Sequence, residues 1–152
     1  MDILADGELD LSDSVLEQMD IVVASVHSHF NQEAPQMTDR LLRAIANPNT
    51  SLIGHPTGRQ LLRREPYKFD YDKVFEAAAK TGVAMELSTR YQAPHITLVR
   101  EAFAAGARFA VASDGHHAGA IGAIDYPRRL IVELEIPDDR FFLPERRLAV
   151  YV

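Results

Sequence analysis

Near position 109 the chain reads Phe-Ala-Val-Ala-Ser-Asp-Gly-His-His, an apolar run that ends in Asp114, His116 and His117. Two other apolar runs end in histidine: DIVVASV at 20–26 leads into His27, and SLIG at 51–54 leads into His55. A fourth, VAMELS at 83–88, carries Glu86. Imidazole nitrogen and carboxylate oxygen are ligands for Zn²⁺, Mn²⁺ and Fe²⁺. Several of them together can hold two or more ions, which lower the pKa of a bound water and neutralise charge developing on a phosphoester. Gly115 lets the chain turn so that Asp114 and His116 point at one centre. An Asp-x-His alone occurs in many loops; what raises its weight is the company of His27 and His55 at other strand ends.

Each of these residues also has a plain structural reading. His27 could be a hydrogen-bonded histidine, and His55 could shape a turn before Pro56. His29 and His117 read as neighbours of ligands or as solvent-facing groups, and His95 as a helix start. Glu86 could support a ligand or a neighbouring arginine. The stretch GRQLLRREPYK at 58–68 supplies Arg59, Arg63, Arg64 and Lys68 just after His55. It reads either as a solvated loop or as a rim that grips phosphate, since arginine forks match phosphate oxygens. GHPTGR lacks the Gly-Lys-Ser/Thr of a nucleotide-binding loop, so no nucleotide cofactor is expected, and no Gly-x-Ser-x-Gly nucleophile turn is present.

Strands and helices must bring these separated residues together. The β-branched run 20–26 and the runs 51–54, 83–88 and 107–113 predict four strands. Between them, 36–46 places Met37, Leu41, Leu42 and Ile45 on one helical stripe, stopped by Asn47-Pro48. A helix over 72–81 is ended by Gly82, and one over 95–105, with Ile96, Val99 and Phe103 inward, by Gly106. Strands alternating with helices predict an α/β fold with a parallel sheet and covering helices. In such folds the C-terminal strand ends share one rim, where sites are built. After residue 119, LIVELEI at 130–136 alternates like a strand, and RLAVYV at 147–152 is a candidate partner for it.

At 152 residues, 47% hydrophobic and 25% charged, the chain has the size and composition of a single globular domain. It has no cysteine, which excludes disulfides and thiolate metal sites. No apolar run reaches the roughly 20 residues of a membrane helix, no secretory signal pattern opens the chain, and a cytoplasmic location is the default. The net charge of −6 predicts modest, salt-sensitive contact with nucleic acid, confined to the local basic strip.

The segments DILADGELDL (2–11), DIVVASVHSHF (20–30), LIGHPTGRQLLRREPY (52–67) and VASDGHH (111–117) resemble the polymerase and histidinol phosphatase (PHP) family. The run from Gly54 to Tyr67 is similar to the PHP domain of bacterial family X DNA polymerases. The resemblance spans about residues 2–122 and implies a distorted seven-stranded (β/α) barrel, of which about four βα units are present. It implies a metal-dependent phosphoesterase holding a cluster of divalent ions, Mn or Zn, with 3′–5′ exonuclease and DNA-end processing in the polymerase-linked members. Position by position, His27, His55, Asp114 and His116 match metal ligands, with Asp114 and His116 at the catalytic centre. Arg59 matches an arginine of the polymerase-linked subgroup, and Arg59 and Arg63 are the expected phosphate contacts. His29, Glu86 and His117 would stand behind the ligands.

The departures from that family set further expectations. Its opening His-x-His pair, further histidines and the glutamate before Asp2 are absent, and its Glu-Ile-Asn-Ala-Asn element appears as Glu86-Leu87-Ser88-Thr89-Arg90. The chain thus resembles the C-terminal part of such a barrel, with about half the ligand set, as a truncated gene would encode. Three histidines and one aspartate could hold one ion. The isolated chain is expected to be weakly active or inactive unless the N-terminal half is supplied in cis or trans, or by self-association. Substrates would be DNA or a phosphorylated small molecule. A histidinol-phosphatase-like enzyme and a degenerate scaffold without catalysis are the alternatives.

Overall fold

The computed structural model describes residues 1–143. Strands β1 (Val23–Ser25), β2 (Leu52–Gly54), β3 (Ala84–Ser88) and β4 (Arg108–Ala112) form one sheet in that spatial order, every pair parallel. Helices α1 (Asp13–Leu16), α2 (Ala34–Ala46), α3 (Tyr71–Thr81), α4 (Ile96–Ala104) and α5 (Asp125–Glu133) accompany them. Neighbouring parallel strands joined by right-handed crossovers place the connecting helices on one face. In keeping with this, α2 lies against α3 and α3 against α4. This singly wound order is the one a partial barrel uses; among the described residues the sheet remains open.

Local chemistry explains the helix limits. Pro35 sits in the first turn of α2, and Glu33 and Gln36 exchange side-chain and backbone hydrogen bonds across it. Asp70 caps α3 by accepting from the Lys73 N–H at 3.2 Å, and Gly82, at φ +79°, ends it. His95 caps α4, its ring accepting from the Thr97 N–H at 3.3 Å, which is the helix-start role expected of it. The core joins Met37, Leu41 and Ile45 of α2 to Ile53, Met85, Leu87 and Phe109 of the sheet, all buried. Each such side chain contributes about 1.5–3 kcal/mol by leaving water.

Both sheet edges are partly covered. Along β1 the Met1 carbonyl accepts from the Ser25 N–H at 3.0 Å, and the Ile3 N–H donates to the Ser25 carbonyl at 2.8 Å. Along β4 the Phe142 N–H donates to the Phe109 carbonyl at 2.7 Å. Backbone groups of an edge that would otherwise face solvent are thereby paired.

One expectation is corrected. Residues 130–136 do not form a strand: 125–133 are helix α5, with Pro127 in its first turn. The stripe Tyr126, Leu130, Leu134 packs inward while Val132 is 71% exposed, a helical period rather than an alternating one. The suggested partner strand at 147–152 lies outside the described residues.

Candidate metal centre

The sheet register aligns the site. Ser25 pairs with Gly54, Ile53 with Met85, and Glu86 with Ala110, so Gly54 and Glu86 fall in one row. His27, His55 and Asp114 emerge one or two residues beyond their strands, on the rim formed by the strands' C-terminal ends. Glu86 sits inside β3 and is buried. Its carboxylate accepts the backbone N–H of His55, so it holds the turn at β2 rather than a neighbouring arginine.

His55 is the most enclosed imidazole, 5% exposed, on a backbone with φ +31°. Its ring lies 5.1 Å from that of His27 and 4.9 Å from that of Tyr91. Burial, then the neighbouring His27, push its pKa down to about 4, which keeps the ring neutral and able to offer a lone pair. Burial raises Glu86 to about 7, opposed by the His55 hydrogen bond and assisted by Asp114.

His27 is more open. Asp2 accepts its backbone N–H at 3.2 Å and stands 3.6 Å from its ring Nδ1. Arg40, fully buried in α2, fastens this corner: it donates to the Ser28 carbonyl and the Gln32 side chain at 3.0 and 3.1 Å, and to the Ile3 carbonyl. His29 follows at φ +53°, with its Nδ1 3.1 Å from the Ser28 hydroxyl.

On the far side, Asp114 takes a left-handed backbone, φ +48°. His116 Nδ1 lies 2.8 Å from the Asp114 carbonyl and 3.8 Å from its Oδ1. Arg90 approaches Asp114 Oδ2 to 3.6 Å through Nε. His117 precedes a short 3₁₀ turn at Ala118–Ala120 and is exposed.

The basic loop folds back on itself. Arg64 stacks 3.7 Å over the Phe30 ring and donates to the Gly58 carbonyl at 2.6 Å. Arg59 donates to the Gln92 carbonyl at 3.0 Å, while Arg63 stands exposed on the Gln60–Arg64 turn.

The donor types suit a divalent cation. His55 Nδ1 and Asp114 Oδ2 are buried and lack a hydrogen-bond partner among the described residues, which is the condition of atoms that a cation would satisfy. The arrangement is nonetheless one of pairs. Among the described residues no group of three His, Asp or Glu side chains is placed to hold an ion. His27 with His55 forms one pair and Asp114 with His116 the other.

Three residues at this rim escape a reading of the sequence alone. Arg90 and Tyr91 follow β3, which extends past the end of β2, and Asp2 reaches His27 only because the N-terminal segment lies along β1. The signal for the first two was their position just past a strand end. For Asp2 no local signal exists.

Comparison with known proteins adds three relatives. The chain is 50% identical over 88 residues, 58% of its length, to a Bacillus subtilis protein named DNA polymerase/3′–5′ exonuclease PolX, of which it spans 15%. It is 30% identical over 145 residues to a "Probable phosphatase" of Caldanaerobacter subterraneus, covering 88% of this chain and 55% of that protein. A Yersinia enterocolitica "Probable phosphatase" is 29% identical over 97% of this chain and 62% of its own length. The chain therefore spans little more than half of these phosphatases. No family model matches it.

Proposed function

We propose that this chain is part of a PHP-like, metal-dependent phosphoesterase, and that His27, His55, Asp114 and His116 contribute ligands to its metal centre. The observation that carries the reading is the gathering of these four residues on one sheet rim, with His55 Nδ1 and Asp114 Oδ2 buried and without a hydrogen-bond partner among the described residues. The names of the relatives support the phosphoesterase class. A bound Mn²⁺ or Zn²⁺ would supply an activated water and charge neutralisation. The protein's own groups would hold it: a neutral His55 offers a lone pair, Glu86 fixes the His55 backbone, and Asp2 orients the His27 ring.

DNA ends are the favoured substrate. The support is the 50% identity to the polymerase/exonuclease together with the basic strip at 58–68, where Arg59 and Arg63 would contact the phosphate backbone. A second reading, a small-molecule phosphoesterase, is favoured by the two phosphatase relatives, which match nearly the whole chain. Two pairs of ligands fall short of a cluster, so full activity would require further ligands from additional polypeptide in cis or trans.

The test compares Mn²⁺-dependent release of the 3′ nucleotide from DNA with hydrolysis of a small phosphomonoester, using the chain joined to the remaining length of its relatives. Arg59→Ala is expected to slow the DNA reaction about tenfold and leave the small substrate within twofold. Equal loss of both contradicts a DNA-directed rim, and the absence of any Mn²⁺-dependent hydrolysis contradicts the phosphoesterase reading.

A further inference from the structure

Beyond the ends of β3 and β4 lies a cavity of about 340 Å³, walled by Thr89, Arg90, Ser113, Asp114, His116 and His117. Its volume is at the small end of the roughly 300–1,000 Å³ typical of ligand sites. We propose that this cavity seats the phosphoryl group of the substrate and that Arg90, rather than an arginine of the 58–68 loop, grips it. The inference rests on the phosphoesterase reading and names the residue that binds the reacting group.

Three observations lead there. First, Arg90 is the cation in the cavity wall, and its guanidinium reaches Asp114 only at long range: Nε to Oδ2 at 3.6 Å and Nη1 to the backbone carbonyl at 3.5 Å. An arginine carries five N–H donors in a planar fork, so most of them remain for a ligand. The Tyr91 ring lies 5.6 Å from the guanidinium carbon and steadies it. Second, the same wall is otherwise polar, with Thr89, Ser113 and His117 beside Arg90. Third, the arginines of the 58–68 loop do not line this cavity: Arg59 donates to the Gln92 carbonyl, and Arg63 stands on an exposed turn.

Charge also requires a cation here. The Asp114 carboxylate would repel a phosphoryl group entering beside it, and Arg90 offsets that repulsion. Ala120 and Ala123 leave one wall apolar, which suits a small ring attached to the phosphate. The ligand class is therefore a phosphoester, DNA end or small phosphomonoester, whose phosphoryl group enters this cavity, and a phosphomonoester probe reports that shared group.

Phenyl phosphate is the probe, titrated into the full chain and followed by calorimetry and by ³¹P line broadening. Wild type is expected to bind it, Arg90→Ala to bind at least tenfold more weakly, and Arg90→Lys to lose about threefold because lysine keeps the charge and loses the fork. Arg100→Ala, which removes the same charge from the exposed side of α4, should stay within twofold. Thermal unfolding checks each variant, and if Arg90→Ala does not fold, Arg90→Lys decides. Wild-type affinity in Arg90→Lys and Arg90→Ala overturns the inference, as does failure of the wild type to bind. Binding that depends on Arg90, with no Mn²⁺-dependent hydrolysis by the chain joined to the remaining length of its relatives, upholds this site while removing the phosphoesterase reading. Hydrolysis indifferent to Arg90 does the reverse.

Discussion

His55 and Glu86 are joined by one hydrogen bond and pull stability in opposite directions with pH. His55 is held near 4 against an ordinary 6.5, so between those values the unfolded chain binds a proton that the folded chain refuses. Its contribution is present above pH 6.5 and is lost as pH falls through 4. Glu86 is raised to about 7 from 4.5, so the folded chain holds a proton that the unfolded chain releases. Its contribution is present below pH 4.5 and is lost as pH rises through 7. In chelator, Glu86→Gln should therefore be more stable than wild type at pH 8, by about 1–3 kcal/mol, with the gain fading toward pH 5. Urea unfolding across pH 5–8 measures this, and parallel curves for the two proteins would contradict it. The histidine and aspartate types were legible in the sequence because strand ends announce them. A supporting role for Glu86 was one of two readings of the sequence; that it acts on the His55 backbone N–H was not legible, since that depends on the register between β2 and β3.

At the scale of elements, glycines separate conformational need from close packing. Gly58 has φ +59°, and a Cβ there would collide with the Tyr67 ring; Gly82 has φ +79° with open space around it. Gly82→Ala should cost about 1–2 kcal/mol, the left-handed penalty alone. Gly58→Ala adds overpacking of about 1–3 kcal/mol. Denaturation midpoints read the difference, and equal costs would mean that the basic loop is not packed on Tyr67 as described. The alternation of strand, helix and glycine stop was legible because β-branched runs and capping residues act locally. Helix α5 was not, because LIVELEI satisfies a period of two in hydropathy while Pro127 and the Tyr126–Leu130–Leu134 stripe satisfy 3.6. The covering of the β1 edge by Met1–Ile3 was equally hidden, being a pairing between distant segments.

For the whole molecule, the parallel order β1-β2-β3-β4 explains how residues from 27 to 116 reach one rim, while the proposed ligands arrive as two pairs. None of the helices among the described residues is long and apolar enough to cross a membrane. The chain spans 55% and 62% of its phosphatase relatives, which fits a site completed by further polypeptide. Joining the remaining length of such a relative should raise Mn²⁺-dependent turnover by at least tenfold over the isolated chain, as read by phosphate release; unchanged turnover would argue that the rim is sufficient or inert. Whether the rim binds a metal ion is read by Mn²⁺ titration of the chain followed by electron paramagnetic resonance. Saturable binding that weakens at least tenfold in both His55→Ala and Asp114→Asn is expected. No saturable binding, or binding indifferent to both substitutions, would contradict it.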